Sequence, residues 1–277
     1  MFGVRSARGD MNSREILDWI ASDARGGGPR AVVVVAHPDD ETVGAGGRLA
    51  DLDPVAVAIA TDGAPRDLSF ARAAGCSDRA DYAHLRHREL EAAMAAGGVP
   101  LDRVRVLGFV DQDAVHHLGD LEESVRALFV EVRPEVVLTH PYEGGHPDHD
   151  AVAFAVHAAA RGLPVRARPT LLEMAYYHDG GGGDVWGTFS GQPGAAIVLD
   201  GRALARKHAM VGCYRSQGQL LSRFPLNVER VRLAPDYDFT AAPPPGRFQY
   251  DAHGWAVRGG DFLAAAYSAG KGFDRIG

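Results

Sequence analysis

The sequence predicts an α/β protein built on a parallel sheet flanked by helices. Three observations carry this. Short apolar runs recur at 31–36 (AVVVVA), 55–60 (VAVAIA), 104–110 (VRVLGFV) and 135–139 (EVVLT). Helix-like segments fall between or after them, giving at least four strand–helix alternations in the first 160 residues, the pattern of a doubly wound sheet. Polar residues cluster just beyond the runs, at 37–41, 61–63, 111–113 and 140–150, where open α/β sheets bind their ligands.

The elements follow in order. Residues 13–24 have apolar positions at helical spacing with Ser13 placed as the N-cap, and the run 26–29 (GGGP) breaks them. The β-branched run at 31–36 suits a central strand buried on both faces. A helix is expected at 44–52 (GAGGRLADL), and the second strand ends in Thr61-Asp62-Gly63. Residues 82–96, rich in Ala, Leu, Glu and Arg and closed by Gly97-Gly98, predict a helix. The third strand ends in Asp111-Gln112-Asp113, a helix spans 121–132, the fourth strand ends in His140-Pro141, and 150–161 is again helical. Beyond about residue 165 the pattern is less regular: strands are expected at 170–177 and 195–199, a helix at 203–210, and a loop from Pro243-Pro244-Pro245. The whole is a Rossmann-like sheet with a mixed C-terminal part shaping the pocket. It reads as one domain over 1–277, with a core at about 30–165 and an extension over 166–277.

Composition narrows the function. With 46% hydrophobic and 23% charged residues the chain is an ordinary globular one. A net charge of −7 argues against a basic nucleic-acid coat. No apolar run approaches the roughly 18 residues of a membrane span. The first twenty residues lack an apolar segment followed by a small-residue cleavage site, so no secretory signal and a cytoplasmic location are expected. Cys76 and Cys213 are too few for a disulfide framework and too far apart for a metal knuckle.

The chemistry lies in two turns. His37-Pro38-Asp39-Asp40-Glu41 sets a histidine and three carboxylates directly after a buried strand. Imidazole and carboxylate suit zinc and other borderline divalent metals. His37 and Asp40, three apart, share one side of a tight turn, and Asp39 between them is free to act as a base. The alternative is that the carboxylates merely cap a helix. Glu143-Gly144-Gly145-His146-Pro147-Asp148-His149 follows another strand, again with two histidines three apart around a proline. A third protein ligand from here would leave one coordination position open for water, as catalytic zinc needs. Two His-Pro-Asp turns at one sheet edge favour a shared metal centre over coincidence.

These turns, about a hundred residues apart, resemble those of the PIG-L/LmbE family of metal-dependent de-N-acetylases. Lesser matches are Thr61-Asp62-Gly63, Arg86 with Glu89, residues 108–112 (GFVDQ), and Lys207 with Ser216-Gln217. The resemblance covers residues 30–165 well and 200–217 loosely. It implies that His37, Asp40 and His149 ligate zinc, iron(II) suiting the same ligands. It implies Asp39 as general base, His146 as oxyanion stabiliser or proton donor, and Asp148 as the group that orients or tunes the neighbouring histidine. Zinc would acidify water and polarise an amide, Asp39 would take the proton, and an imidazolium at His146 would face the oxyanion.

Asp62, Arg66 and Asp111, at or just after strand ends, are the expected substrate-binding groups, since carboxylates and an arginine suit sugar hydroxyls and the resembling sugar deacetylases use these loops. The loop reads Asp62-Gly63-Ala64-Pro65-Arg66-Asp67 where the family is rich in glycine and glutamate, and Tyr214 stands where the family often has histidine. The expected activity is removal of an N-acetyl group from an amino sugar or related small molecule. The implied partner is a small N-acetylated substrate, a sugar conjugate, with no nucleic acid or membrane span; an oligomer is compatible with the sequence. The alternatives are an amidase on a non-sugar amide or thiol conjugate, and a non-catalytic metal- or sugar-binding protein of this fold. Asp39 and His146 speak against a pure binder. Residues 44–47 (GAGG) lack the spacing of a dinucleotide loop. Tyr176, Tyr177 and Trp186, beside the glycine run 180–183, are expected to pack in the core.

Overall fold

The computed structural model describes residues 11–22, 27–52, 55–244 and 246–273. The first ten residues, the end of the first predicted helix at 23–24, Gly26 and Pro245 lie outside them. The chain runs α1 (Ser13–Ala21), β1 (Ala31–Val35), α2 (Asp40–Ala45), β2 (Val55–Thr61), α3 (Ser69–Ala73), α4 (Arg79–Gly97), β3 (Val104–Phe109), α5 (Leu118–Val132), β4 (Val136–Thr139) and α6 (Pro147–Arg161). It continues through β5 (Thr170–Met174), β6 (Tyr177–Asp179), β7 (Asp184–Trp186), β8 (Ala195–Val198), α7 (Gly201–Val211), α8 (Gly218–Leu221), β9 (Val228–Leu233) and α9 (Gly259–Phe273).

Seven strands form one sheet in the order β3-β2-β1-β4-β5-β9-β8. The first five are mutually parallel, and β9 pairs antiparallel with both β5 and β8. Successive β1 side chains feed opposite layers. Val33 and Val35 join α1, α4 and α7; Val32 and Val34 join α5, α6 and α9. A strand covered on both faces has no polar side, which is why 31–36 reads as unbroken apolar sequence. The order reverses at β1, whose neighbours are β2 and β4. The β1–β4 crevice is therefore the topological switch point where ligands are held, and both His-Pro-Asp turns leave from it.

Several boundaries differ from the sequence expectation for local reasons. Asn12, not Ser13, caps α1, accepting from the backbone of Arg14 and Glu15 while Glu15 completes a capping box. The helix expected at 44–52 begins at Asp40, inside the first turn. The helix expected at 150 begins at Pro147, with His146 as its N-cap and proline in the first turn. The strand expected at 170–177 splits, its end forming the β6–β7 hairpin. β9 and α9 carry no prediction. In β9 Glu229, Arg230 and Arg232 interrupt the apolar residues, and Glu229 is itself buried against Lys207 at 2.9 Å.

One buried charge cluster sits where β4 and β5 meet β9. Arg232 donates to Glu173 at 2.7 Å and to Glu143 at 3.0 Å, so one guanidinium serves two carboxylates. Burial, opposed by Arg232, pushes Glu143 up to about 8 and Glu173 up to about 7. Both acids bind protons more tightly folded than unfolded, so their stabilising contribution is complete below the unfolded value of 4.5 and is lost as pH rises through 7 and 8. The urea midpoint of Glu143→Gln is accordingly expected to fall less steeply than wild type between these limits. A parallel pair of curves contradicts this.

Candidate metal centre

The first turn is held in a demanding conformation. Asp39 has φ 134° and ψ −27°, which a non-glycine residue adopts only under constraint and at a cost of about 1–3 kcal/mol. Three contacts impose it. The Asp39 N–H donates to Glu41 Oε2 at 3.0 Å, its carbonyl accepts from Val43 at 2.9 Å, and its carboxylate meets Arg86 Nη2 at 2.9 Å. The side chain makes no capping hydrogen bond to α2. The helix-capping reading therefore does not describe Asp39, whose carboxylate is turned toward the cavity that it lines.

Glu41, fully buried, anchors the turn from behind by accepting from the hydroxyls of Thr42 and Tyr214, each at 2.6 Å. Arg86, also buried, reaches from α4 to the Pro38 carbonyl as well as Asp39. Gly63, at φ +65°, passes so close that a Cβ there would lie 2.8 Å from Arg86 Nε. In the second turn Gly145 lies against the Tyr177 carbonyl, where an added Cβ would come within 2.2 Å.

The two turns meet through their histidines and acids. His37 Nδ1 lies 3.1 Å and His149 Nε2 3.4 Å from the same oxygen, Asp40 Oδ2. Ligand atoms on a four-coordinate metal at bond lengths of about 2.0–2.2 Å stand roughly 3.3 Å apart, and each of these two histidine nitrogens lies at about that separation from Asp40. On its other nitrogen His37 faces Asp148 at 3.1 Å and Asp111 at 3.3 Å. Asp111 Oδ1 is buried without a hydrogen-bond donor. Burial opposes protonation of His37, yet Asp111, Asp148 and Asp40 hold its pKa well above 6.5. Such an excess of acceptors around one imidazole is the chemistry of a cation site.

Three groups of ligand atoms lie within 4.8 Å of one another among the described residues: His37 with His146 and His149; His37 with Asp111, His146 and Asp148; and Asp40 with His140 and His149. His140 Nε2 already accepts the Ala36 N–H at 2.9 Å, so that lone pair is taken. His140 stacks on His149 at 3.9 Å, and burial followed by the His149 charge lowers its pKa to about 3. It is a neutral ring that backs His149.

His146 Nδ1 accepts the Asp148 N–H at 3.1 Å. The proton of the neutral ring is then on Nε2, which leaves it a donor. Burial, with His37 and His149 adding to it, holds its pKa well below 6.5. The imidazolium expected at His146 is thus replaced by a neutral N–H donor. The carboxylate of Asp148 makes its hydrogen bonds elsewhere than on His146. It contacts His37 and accepts the backbone N–H groups of Gln112 at 2.6 Å and Ala114 at 3.2 Å, tying the β3 loop to the site.

A cavity of about 360 Å³ opens over this centre, lined by His37, Asp39, Asp40, Asp111, His146 and His149 among others. Asp111 is the one expected substrate-binding residue that lines it. Asp62 is instead paired with Arg79 and caps Ala64, and Arg66 is an exposed partner of Asp113 at 2.7 Å. Both were expected from sequence to meet sugar hydroxyls, but loop geometry turns them away from the lining. Conversely Tyr177 and Trp186, expected in the core, line the cavity with Phe224 and Trp255. Only the aromatic pattern beside the glycine run hinted at them. Tyr176 is buried and donates to the Asp40 carbonyl at 3.0 Å. No helix among the described residues is long and apolar enough to cross a membrane.

Comparison with known proteins converges on the same segment. Residues 32–160 match the family model described as PIG-L: GlcNAc-PI de-N-acetylase. A Bacillus cereus protein named "Probable N-acetyl-alpha-D-glucosaminyl L-malate deacetylase 2" is 33% identical over 153 residues, which are 52% of this chain and 66% of that one. A "1D-myo-inositol 2-acetamido-2-deoxy-alpha-D-glucopyranoside deacetylase" of Mycobacterium sp. (strain KMS) is 34% identical over 145 residues, 44% of this chain and 46% of that one. The chain thus spans about half to two thirds of the length of these relatives. In fold it is similar to the crystal structure titled "zinc inhibited form of teicoplanin deacetylase Orf2", with a TM-score of 0.56, 20% identity, and coverage of 75% of this chain and 100% of that one. Residues 32–160, which carry both His-Pro-Asp turns, are thus the part of the chain that matches the PIG-L family model.

Proposed function

We propose that the protein is a zinc-dependent deacetylase that releases acetate from the N-acetylated amino sugar of a small conjugate. The observation that carries this is the position of Asp39. It is freed from capping, held by Arg86, and lines the same cavity as His37, Asp40 and His149, the residues that would hold a divalent metal. A pure binding site has no use for a strained carboxylate beside its metal. The family match over residues 32–160 and the names of the relatives support the substrate class.

When bound, a divalent metal supplies Lewis-acid polarisation of the amide carbonyl and acidifies water toward neutral pH. The chain's own groups do the rest. Asp39, pushed up to about 7 by burial against the pull of Arg86, is poised to accept a proton from the attacking water near neutrality. Arg86 keeps its carboxylate oriented. His146, with Nδ1 tied to the helix N-terminus, donates from Nε2 to the oxygen that becomes anionic. Asp39 then returns the proton to the departing amine.

The test is amine release from N-acetylglucosamine glycosides by protein stripped with a chelator and then restored with zinc or iron(II). Release should vanish on stripping and return on loading. Equal release in both states contradicts a metal-dependent reaction.

A further inference from the structure

Beyond the family-matched segment, one cavity wall is aromatic. Tyr177 on β6, Trp186 on β7 and Phe224 after α8 pack together, with ring centroids 4.7 Å apart for Tyr177–Trp186 and 4.9 Å for Trp186–Phe224. The wall begins at the metal centre, since Tyr177 lies 5.5 Å from the ring of His149. Trp255 also lines the cavity, 4.8 Å from the ring of His146. Further lining comes from Phe70 and Leu220, which are 42% and 38% exposed. The charged groups here are engaged with each other: Arg223 sits over Trp186 at 5.3 Å and pairs with Asp184 at 3.7 Å, and Asp184 also accepts from Gln249.

A pyranose offers one modest apolar face to a ring and needs polar partners for its hydroxyls. Three mutually packed rings plus exposed Phe70 and Leu220 present more apolar surface than that face covers. Tyr177 and Trp186 are fixed by the β6–β7 hairpin and Phe224 packs edge-on against Trp186, so packing on them requires little ordering.

We propose that this wall is an aglycone subsite, and that the substrate is an N-acetylated amino sugar carrying an aromatic group, which packs against the wall while the acetamide reaches His146 and His149. The sugar end of this proposal rests on the deacetylase reading; the aromatic end rests on the wall alone.

The test compares phenyl and methyl glycosides of N-acetylglucosamine, with N-hexanoylglucosamine as a third ligand. Zinc-loaded Asp39→Asn protein is titrated calorimetrically, and zinc-loaded wild type is assayed for amine release. The phenyl glycoside should bind at least about tenfold more tightly than the methyl glycoside, and wild-type kcat/KM should show the same preference. Trp186→Ala should bring the ratio close to one. Leu220→Asp, at a surface position that leaves the core intact, should reduce it too. Equal affinities, no detectable phenyl-glycoside binding, a ratio that survives both substitutions, or a preference carried by the hexanoyl chain overturns the subsite. Selective phenyl binding without amine release would leave the subsite and remove the deacetylase reading; release without selectivity would do the reverse.

Discussion

Replacing His149 by alanine is expected to empty the metal site and stop amine release. His149 Nε2 and His37 Nδ1 share Asp40 Oδ2, at 3.4 and 3.1 Å, and the third donor cannot be replaced from His140, whose Nε2 is held by Ala36. Disturbing groups that merely support metal ligands already costs about 10–100-fold in affinity or activity, so losing a ligand should exceed a hundredfold. Bound metal measured by elemental analysis should fall from about one per chain to near zero, with far-UV circular dichroism unchanged. A variant that keeps its metal would move the site toward the His37–Asp111–His146–Asp148 group.

The second large effect is on stability. Arg86→Met should destabilise the fold by about 3–5 kcal/mol, because it leaves Asp39 as a buried carboxylate without its partner. Both groups are almost fully buried, and Arg86 also meets the Pro38 carbonyl and the Ser216 hydroxyl, so little solvent can compensate. Arg66→Ala removes an ion pair whose arginine side chain is 71% exposed and should change stability by less than about 1 kcal/mol. Urea denaturation of the two variants gives the comparison. Equal losses would mean that Arg86 is not the anchor of the first turn.

Sequence periodicity carried the parallel half of the fold because its strands are simple. β1 and β4 are buried on both faces, so their apolar runs are uninterrupted, and each ends at a polar turn. The antiparallel addition was hidden because β9 buries Glu229 on Lys207 and brings Arg232 to two glutamates; paired charges erase the alternation that marks a strand. Helix starts were misplaced for a related reason. The carboxylates and histidines that open α2 and α6 belong to the site first and to the helix second, so a reading by apolar spacing begins each helix too late.

The site shows the same division. His37, Asp39, Asp40, His146, Asp148 and His149 lie in two short turns whose spacing is fixed by local backbone geometry, and the fold brings all six together. Asp62 and Arg66 lie in a loop whose direction depends on Arg79 and Asp113, at positions no local pattern specifies. Arg86 was visible only as a distant family match, and its contact with Asp39 spans 47 residues of sequence. Trp255 reaches the cavity from the C-terminal segment, beyond any motif.

In the proposed reaction Asp39 moves the proton of a metal-dependent deacetylation. This role is tested most directly by acetate release from zinc-loaded wild type and zinc-loaded Asp39→Asn, compared at equal measured metal content on an N-acetylglucosamine glycoside. Wild type should release acetate, and the variant should be slower by about 10²–10⁴-fold with its metal retained. An Asp39→Asn protein that holds its zinc and releases acetate at the wild-type rate would contradict it.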